Sequence, residues 1–179
     1  MLELMQYRDF DQVFMIMEQS FPYDEYRTYE EQKKLLQKPY YRIYVSRTEQ
    51  CQGPQSRRIL AFLAIWELSG FTFIEHLASD PAVRGQGLGA AVLKEAAQLF
   101  PGRRCLEVEL PETELARRRI AFYERNGFFL NAYPYVQPAI SKGRQEIPLL
   151  IMTSGGGIAK GQFAQIRTAL YQEVYGQRC

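Results

Sequence analysis

The stretch Pro81-Ala82-Val83-Arg84-Gly85-Gln86-Gly87-Leu88-Gly89-Ala90 limits what this chain can fold into more than any other ten residues. An apolar, strand-like run from Phe71 to Ala78 leads into it, and an amphipathic helical pattern from Leu88 to Phe100 leads out. Three glycines at alternate positions leave backbone N–H groups uncovered by side chains at a strand-to-helix junction. Unpaired amides at a helix N-terminus, with the helix dipole behind them, favour an anion. Arg84 adds a positive charge at the mouth. The stretch therefore reads as a phosphate-binding turn rather than as a bend that merely needs a flexible backbone.

The flanking patterns set the order of elements. Phe10, Val13, Phe14, Met17 and Phe21 recur at helical spacing behind Asp9, and Thr28 with Glu31 forms a capping box that opens a second helix to Gln37. Tyr41 to Ser46 reads as a short strand, and Glu49 to Arg57, with Gly53-Pro54, as a polar hairpin loop. Ile59 to Leu68 and Phe71 to Ala78 are long strands joined at Ser69-Gly70. Leu88, Val92, Ala96 and Leu99 mark the buried stripe of the next helix, stopped by Pro101-Gly102. Cys105 to Leu110 is a strand, Leu115 to Asn126 a helix, and Phe128 to Tyr135 and Pro148 to Thr153 are strands. Gly155-Gly156-Gly157 reads as a flexible joint before a last helix carrying Phe163, Ile166, Leu170 and Val174. This order predicts an α+β fold: a central mixed, mostly antiparallel sheet flanked by helices.

With 179 residues the chain suits one domain with a sizeable core. A net charge of +2 gives no case for nucleic acid, and no apolar run approaches a membrane span. The start, Met1-Leu2-Glu3-Leu4, lacks the features of a signal peptide. Cys51, Cys105 and Cys179 are odd in number and far apart, which suits a reducing cytoplasm. One histidine and scattered cysteines make no metal-binding spacing.

Three phosphate-binding templates compete for the turn. A P-loop needs Gly-Lys-Ser/Thr, but Gly89 is followed by Ala90-Ala91. The dinucleotide pattern is met formally by Gly85, Gly87 and Ala90, yet it should open a first βα unit directly after a strand, and here a hairpin precedes it. Arg84-Gly85-Gln86-Gly87-Leu88-Gly89 resembles instead the acetyl-CoA signature of the GNAT family, the general N-acetyltransferases. Leu77-Ala78-Ser79 resembles the end of that family's fourth strand, with Ser79 in place of the usual valine. Ala121-Phe122-Tyr123-Glu124-Arg125-Asn126-Gly127-Phe128 resembles its F-Y-x-x-x-G-F element at the usual distance downstream. The chain departs from the family at Ala116, where relatives often carry an asparagine that bonds the cofactor arm.

The resemblance implies an acetyltransferase domain over residues 1–154, with a helical extension over 155–179 outside the usual core. It implies acetyl-CoA as co-substrate, with its pyrophosphate on Arg84, Gly85, Gln86, Gly87, Leu88 and Gly89, and its pantetheine arm along the backbone of Leu77, Ala78 and Ser79. No metal is implied. The acceptor is expected to be a primary amine on a small molecule or peptide, and the protein a monomer or homodimer. Two other readings are a non-catalytic acyl-CoA sensor and a nicotinamide oxidoreductase; the hairpin before the turn speaks against the second.

Acetyl transfer needs a neutral amine, a donor for the oxyanion and a proton for the departing thiolate. Tyr123 is the expected general acid, because a phenol is protonated at neutral pH and the matching tyrosine in relatives donates to the CoA sulfur. Glu75 is the expected general base: it shares a strand face with Phe73 and Leu77, and an otherwise apolar strand would desolvate its carboxylate. Glu109, His76 and water are the alternatives, although His76 lies on the opposite face. A backbone N–H near Leu77 or Ala78 is expected to meet the oxyanion. The acceptor groove implied by the resemblance draws on Phe21 to Arg27 and Asn131 to Pro138. Tyr23, Glu25, Arg27 and Tyr135 are its expected contacts, with Asp24 and Glu25 suited to a cationic amine and Arg27 to a carboxylate.

Overall fold

In the computed structural model, which describes residues 1–48 and 58–177, the most apolar run of the sequence forms the middle of the sheet. Strand β3 (Ile59–Leu68) is buried from Ala61 to Trp66 without alternation, the burial of a strand covered on both faces. A two-residue turn, Ser69-Gly70 with Gly70 at φ +88°, returns it into β4 (Phe71–Ser79). The other strands are β1 (Leu2–Leu4), β2 (Tyr41–Arg47), β5 (Arg104–Glu109), β6 (Phe128–Gln137) and β7 (Ile147–Ser154). They form one seven-stranded mixed sheet in the order β1-β2-β3-β4-β5-β7-β6. β4 runs parallel to β5 through Thr72–Arg104, Phe73–Cys105 and Ile74–Leu106, while β1–β2, β5–β7 and β6–β7 are antiparallel. Helices α1 (Phe10–Glu18), α2 (Tyr29–Lys34), α3 (Leu88–Leu99), α4 (Glu114–Arg125) and α5 (Lys160–Ala169) flank it. The predicted α+β architecture with a mostly antiparallel mixed sheet is the observed one. The predicted loop Glu49–Arg57, and with it Cys51 and Cys179, lies outside the described residues.

The chain divides into two compact units, residues 1–65 with 75–101 and residues 66–74 with 102–179. In the first, α1 buries Phe10, Val13, Phe14, Ile16 and Met17. The capping box at α2 is the predicted one: Thr28 Oγ1 accepts from the Glu31 amide and Glu31 reaches back to the Thr28 amide. α3 buries Val92, Leu93 and Ala96, so its stripe is turned from the predicted one, leaving Leu99 half-exposed. β1 escaped the sequence reading because three residues carry no usable period; it is held by antiparallel pairing with β2 and by the Leu2 amide donating to Glu95, 2.5 Å.

In the second unit, α4 starts at Thr113, whose hydroxyl accepts from the Ala116 amide at 3.1 Å, and buries Ala116, Ile120 and Tyr123 along one stripe. β6 is irregular. From Asn131 to Tyr135 it advances four residues (135 − 131) while β7 advances two from Ile151 to Leu149 (151 − 149). The segment 155–157 is not the flexible joint the sequence suggested. Gly155 and Gly156 take φ of +75° and +111°, and Asn131 pins the turn. Its Oδ1 accepts from the Ile158 amide at 3.0 Å, its Nδ2 donates to Thr153 Oγ1 at 3.0 Å, and that hydroxyl donates to the Gly156 carbonyl at 2.8 Å. Phe163, Ile166, Leu170 and Val174 are all buried as predicted, the last two in a π turn, Leu170–Val174, that ends α5.

Candidate active site

Asp80 builds the approach to the glycine turn. Its carboxylate accepts from the Ala82 amide at 2.9 Å and from Arg58 Nη2 at 2.6 Å, and the amide bond above all holds the carboxyl below its ordinary pKa. A short turn, Pro81–Val83, then delivers Arg84 to Gly87, all exposed. Gly85 and Gly87 sit at φ +80° and +78°, conformations that an L side chain strains to adopt. Gly87 is the N-cap of α3 and offers no side chain to its first turn. The first helical bond is Ala91 N to Gly87 O, so the amides of Leu88, Gly89 and Ala90 have no partner within the helix. A Cβ at Gly85 or Gly87 would meet nothing within 4 Å, which leaves the cradle open to an approaching phosphate. Arg84 does not hang free at the mouth: its Nη2 donates to Ser20 Oγ at 2.9 Å and Gln19 O at 3.4 Å, at the C-terminal end of α1.

Along β4, Leu77 and Ser79 are half-buried and Ala78 is buried. Glu75 is half-buried as a residue, yet its side chain is only 3% exposed, so what it shows to solvent is main chain.

Beneath that backbone the structure joins two residues assigned to different tasks. Arg27 Nη1 donates to Glu75 Oε1 at 2.6 Å, with the two side chains 6% and 3% exposed. Glu75 is therefore no lone carboxylate in an apolar strand, and the Arg27 guanidinium is engaged inside the protein. His76 is also buried. Its Nε2 donates to the Glu25 carbonyl at 2.9 Å, and its Nδ1 lies 3.8 Å from Glu75 Oε2 with no hydrogen-bond partner. Burial, above the pull of Glu75, lowers the His76 pKa, so the ring is neutral at pH 7. Phe21 packs edge-on against it at 4.8 Å. Tyr41, fully buried, accepts from Gln32 Nε2 at 2.6 Å, and burial pushes its phenol well up. Tyr23 is exposed and Glu25 half-buried.

In the second unit, Tyr123 is buried on α4 between Phe122 and Phe128, ring centroids 5.2 and 5.8 Å away. Glu109 is paired with Arg119 at 2.7 Å. Tyr135 is buried and donates to Glu107 Oε1; Tyr175 donates to the same carboxylate, 2.9 Å from Oε1 and 2.7 Å from Oε2. Burial, then the Glu107 charge, pushes the Tyr135 phenol well above its ordinary pKa. Tyr171, ring centroid 5.9 Å from Tyr135, donates to the Val136 carbonyl at 2.6 Å. Sequence reasoning named Tyr135 here and missed Glu107, Tyr171 and Tyr175, since no local motif links positions so far apart. Cys105 is buried with its thiol pushed up by burial, which disqualifies it as a nucleophile. Among the described residues no three His, Cys, Asp or Glu side chains gather to hold a metal ion, and no helix is long and apolar enough to cross a membrane.

An α+β sheet whose central hairpin feeds an anion-ready glycine turn is the build of an acyl-CoA-dependent transferase. Residues 7–128 match the Acetyltransferase (GNAT) family, and the chain belongs to it; members of this family are acetyltransferases that use acetyl-CoA. A GNAT-family protein from Bacteroides thetaiotaomicron is 28% identical with a TM-score of 0.84, covering 99% of each chain. Two more distant structures share the fold. A mutant of the spermidine N-acetyltransferase SpeG from Vibrio cholerae has TM-score 0.62 at 15% identity, covering 86% of this chain and 94% of its own. NAA60 from Arabidopsis thaliana, in complex with a bisubstrate analogue, has TM-score 0.67 at 13% identity, covering 86% and 97%. A comparison with curated proteins finds no match.

Proposed function

We propose that this acetyltransferase moves the acetyl group of acetyl-CoA to a primary amine of a small molecule or peptide by direct attack in a ternary complex. The observation that carries the donor half is the glycine turn. Its left-handed Gly85 and Gly87 expose three first-turn amides of α3 with open space above them, a seat for a pyrophosphate. The amine half is supported by the fold shared with a spermidine N-acetyltransferase.

Bound there, acetyl-CoA supplies an activated thioester. Leu77, Ala78 and Ser79 offer main-chain partners to its extended arm, and an N–H at Leu77 or Ala78 polarises the carbonyl. The amine nitrogen bonds to the carbonyl carbon, the carbon–sulfur bond breaks, and the Tyr123 phenol gives its proton to the departing sulfur. Tyr123 regains a proton from solvent, to which the amine loses its own. Glu75 serves this reaction as the buried counter-ion of Arg27, fixing the end of the Tyr23–Arg27 segment against β4. The Arg27 guanidinium holds one oxygen of that carboxylate at 2.6 Å.

The test is release of CoA thiol from acetyl-CoA across a panel of amines. Tyr123→Phe is expected to lower kcat by about 100-fold or more with acetyl-CoA affinity kept. Unchanged turnover would overturn the acid role. Saturable acetyl-CoA binding with no thiol released on any amine would mean an acyl-CoA sensor instead.

A further inference from the structure

His76 is buried on β4, and no step of the transfer uses it. Its Nε2 lies 2.9 Å from the Glu25 carbonyl. A carbonyl oxygen only accepts, so Nε2 carries the proton, and in the neutral ring Nδ1 is a bare acceptor. That nitrogen is buried without a hydrogen-bond partner, 3.8 Å from Glu75 Oε2, another acceptor. Buried polar atoms are ordinarily hydrogen-bonded, and leaving one unmet costs stability. An apolar side chain would fill the place without that cost. What the histidine adds is its bond to Glu25.

The segment it grips is tied to the donor side at several points. At its start, Arg84 of the glycine turn donates to the Gln19 carbonyl and to Ser20 Oγ. Phe21 packs edge-on against the His76 ring at 4.8 Å, and Arg27 at its end bonds Glu75. Between these contacts Tyr23–Glu25 forms one 3₁₀ turn, with the Glu25 amide donating to the Pro22 carbonyl at 2.9 Å. A turn this short has little stability of its own. With the pyrophosphate on the first-turn amides of α3 and the arm along Ser79, Ala78 and Leu77, the thioester end arrives beside His76 and Glu75 on the same strand. The turn that His76 holds then borders the place where the amine must attack.

We propose that His76 is a positioning residue for the acceptor: through the Glu25 carbonyl it fixes the Tyr23–Glu25 turn beside the thioester end of the donor. This rests on the reading of the protein as an amine acetyltransferase. His76 takes no proton from the amine; it sets the shape of the surface that the amine meets.

His76→Gln and His76→Leu separate the bond from the bulk. Glutamine carries an N–H donor at a similar reach, and leucine fills the place without one. Thiol release is measured at saturating acetyl-CoA, on the acceptor that wild type uses best among n-butylamine, 1,4-diaminobutane and glycinamide. In His76→Leu the KM for the amine should rise about tenfold, with kcat within about twofold and acetyl-CoA affinity kept. His76→Gln should bring that KM back to within about threefold of wild type. A fall in kcat with the amine KM kept, one KM for all three proteins, or glutamine no better than leucine would overturn the proposal. Hydrogen exchange of the amides of residues 22–27 in the CoA-free protein needs no turnover. It should be about tenfold faster in His76→Leu and near wild type in His76→Gln, and equal exchange in all three also overturns the proposal. If His76→Leu shows no cooperative thermal transition, His76→Asn, whose shorter amide stops short of Glu25, takes its place. No thiol released on any amine defeats the amine-transfer reading, and exchange alone then decides whether His76 holds the turn.

Discussion

Removing Arg27 alone should harm the protein more than removing Arg27 and Glu75 together. At 2.6 Å and an effective dielectric near 20, the pair attracts by about 332/(20 × 2.6), or about 6 kcal/mol. Burying a guanidinium and a carboxylate costs about several kcal/mol for each ion, so the assembled pair contributes little net stability. Arg27→Leu keeps the desolvation cost of Glu75 and discards the attraction that offset it, a loss of about 3–5 kcal/mol. For a chain of this size that corresponds to a drop of about 6–20 °C in Tm. The double variant Arg27→Leu/Glu75→Leu removes both of these buried charges and should recover most of the loss. Urea unfolding of wild type, both single variants and the double variant supplies the complete cycle. An Arg27→Leu protein within about 1 kcal/mol of wild type, or a double variant no better than the worse single, would refute the reasoning.

His76 adds a pH signature to that cycle. In Arg27→Leu, the ring nitrogen 3.8 Å from Glu75 becomes the available source of positive charge, and Arg27 no longer opposes protonation of His76. The deficit of Arg27→Leu should therefore shrink as pH falls. A deficit constant with pH would place Glu75 out of electrical contact with His76. Glu75→Gln separates its two candidate tasks. Loss of the acidic limb of the kcat profile would restore the base role, whereas a higher KM with the limb intact fits the clamp.

Two other outcomes are expected. In wild type, His76 has a lowered pKa when folded, so the unfolded chain binds its proton first; stability is full above the ordinary histidine value and declines as pH falls from about 7.5 to 5.5, with the decline flattened in His76→Gln by urea titration. Gly87→Ala should cost about 1–2 kcal/mol from the left-handed backbone and weaken acetyl-CoA binding, while Gly102→Ala, without a positive φ, should do neither in calorimetry.

What the sequence disclosed was set by the range of the interaction involved. The glycine turn, the capping box at Thr28 and the hairpin at Ser69-Gly70 are codes a few residues long, and each appears in the structure where the pattern put it. Strand β3 was legible because its apolar run is unbroken. The stripe of α3 was read rightly at Val92 and Ala96 and wrongly at Leu99, because Leu93 and Leu99 are equally apolar and only packing decides which is covered. The three-glycine segment looked mobile because glycine permits motion, but Asn131 and Thr153, distant in sequence, hold it.

The same limit shaped the reading of the charges. Arg27 and Glu75 stand 48 residues apart, and considered singly each resembles a group awaiting a ligand: a cation for a carboxylate, an anion for a proton. Together they form a buried ion pair that neither position discloses alone.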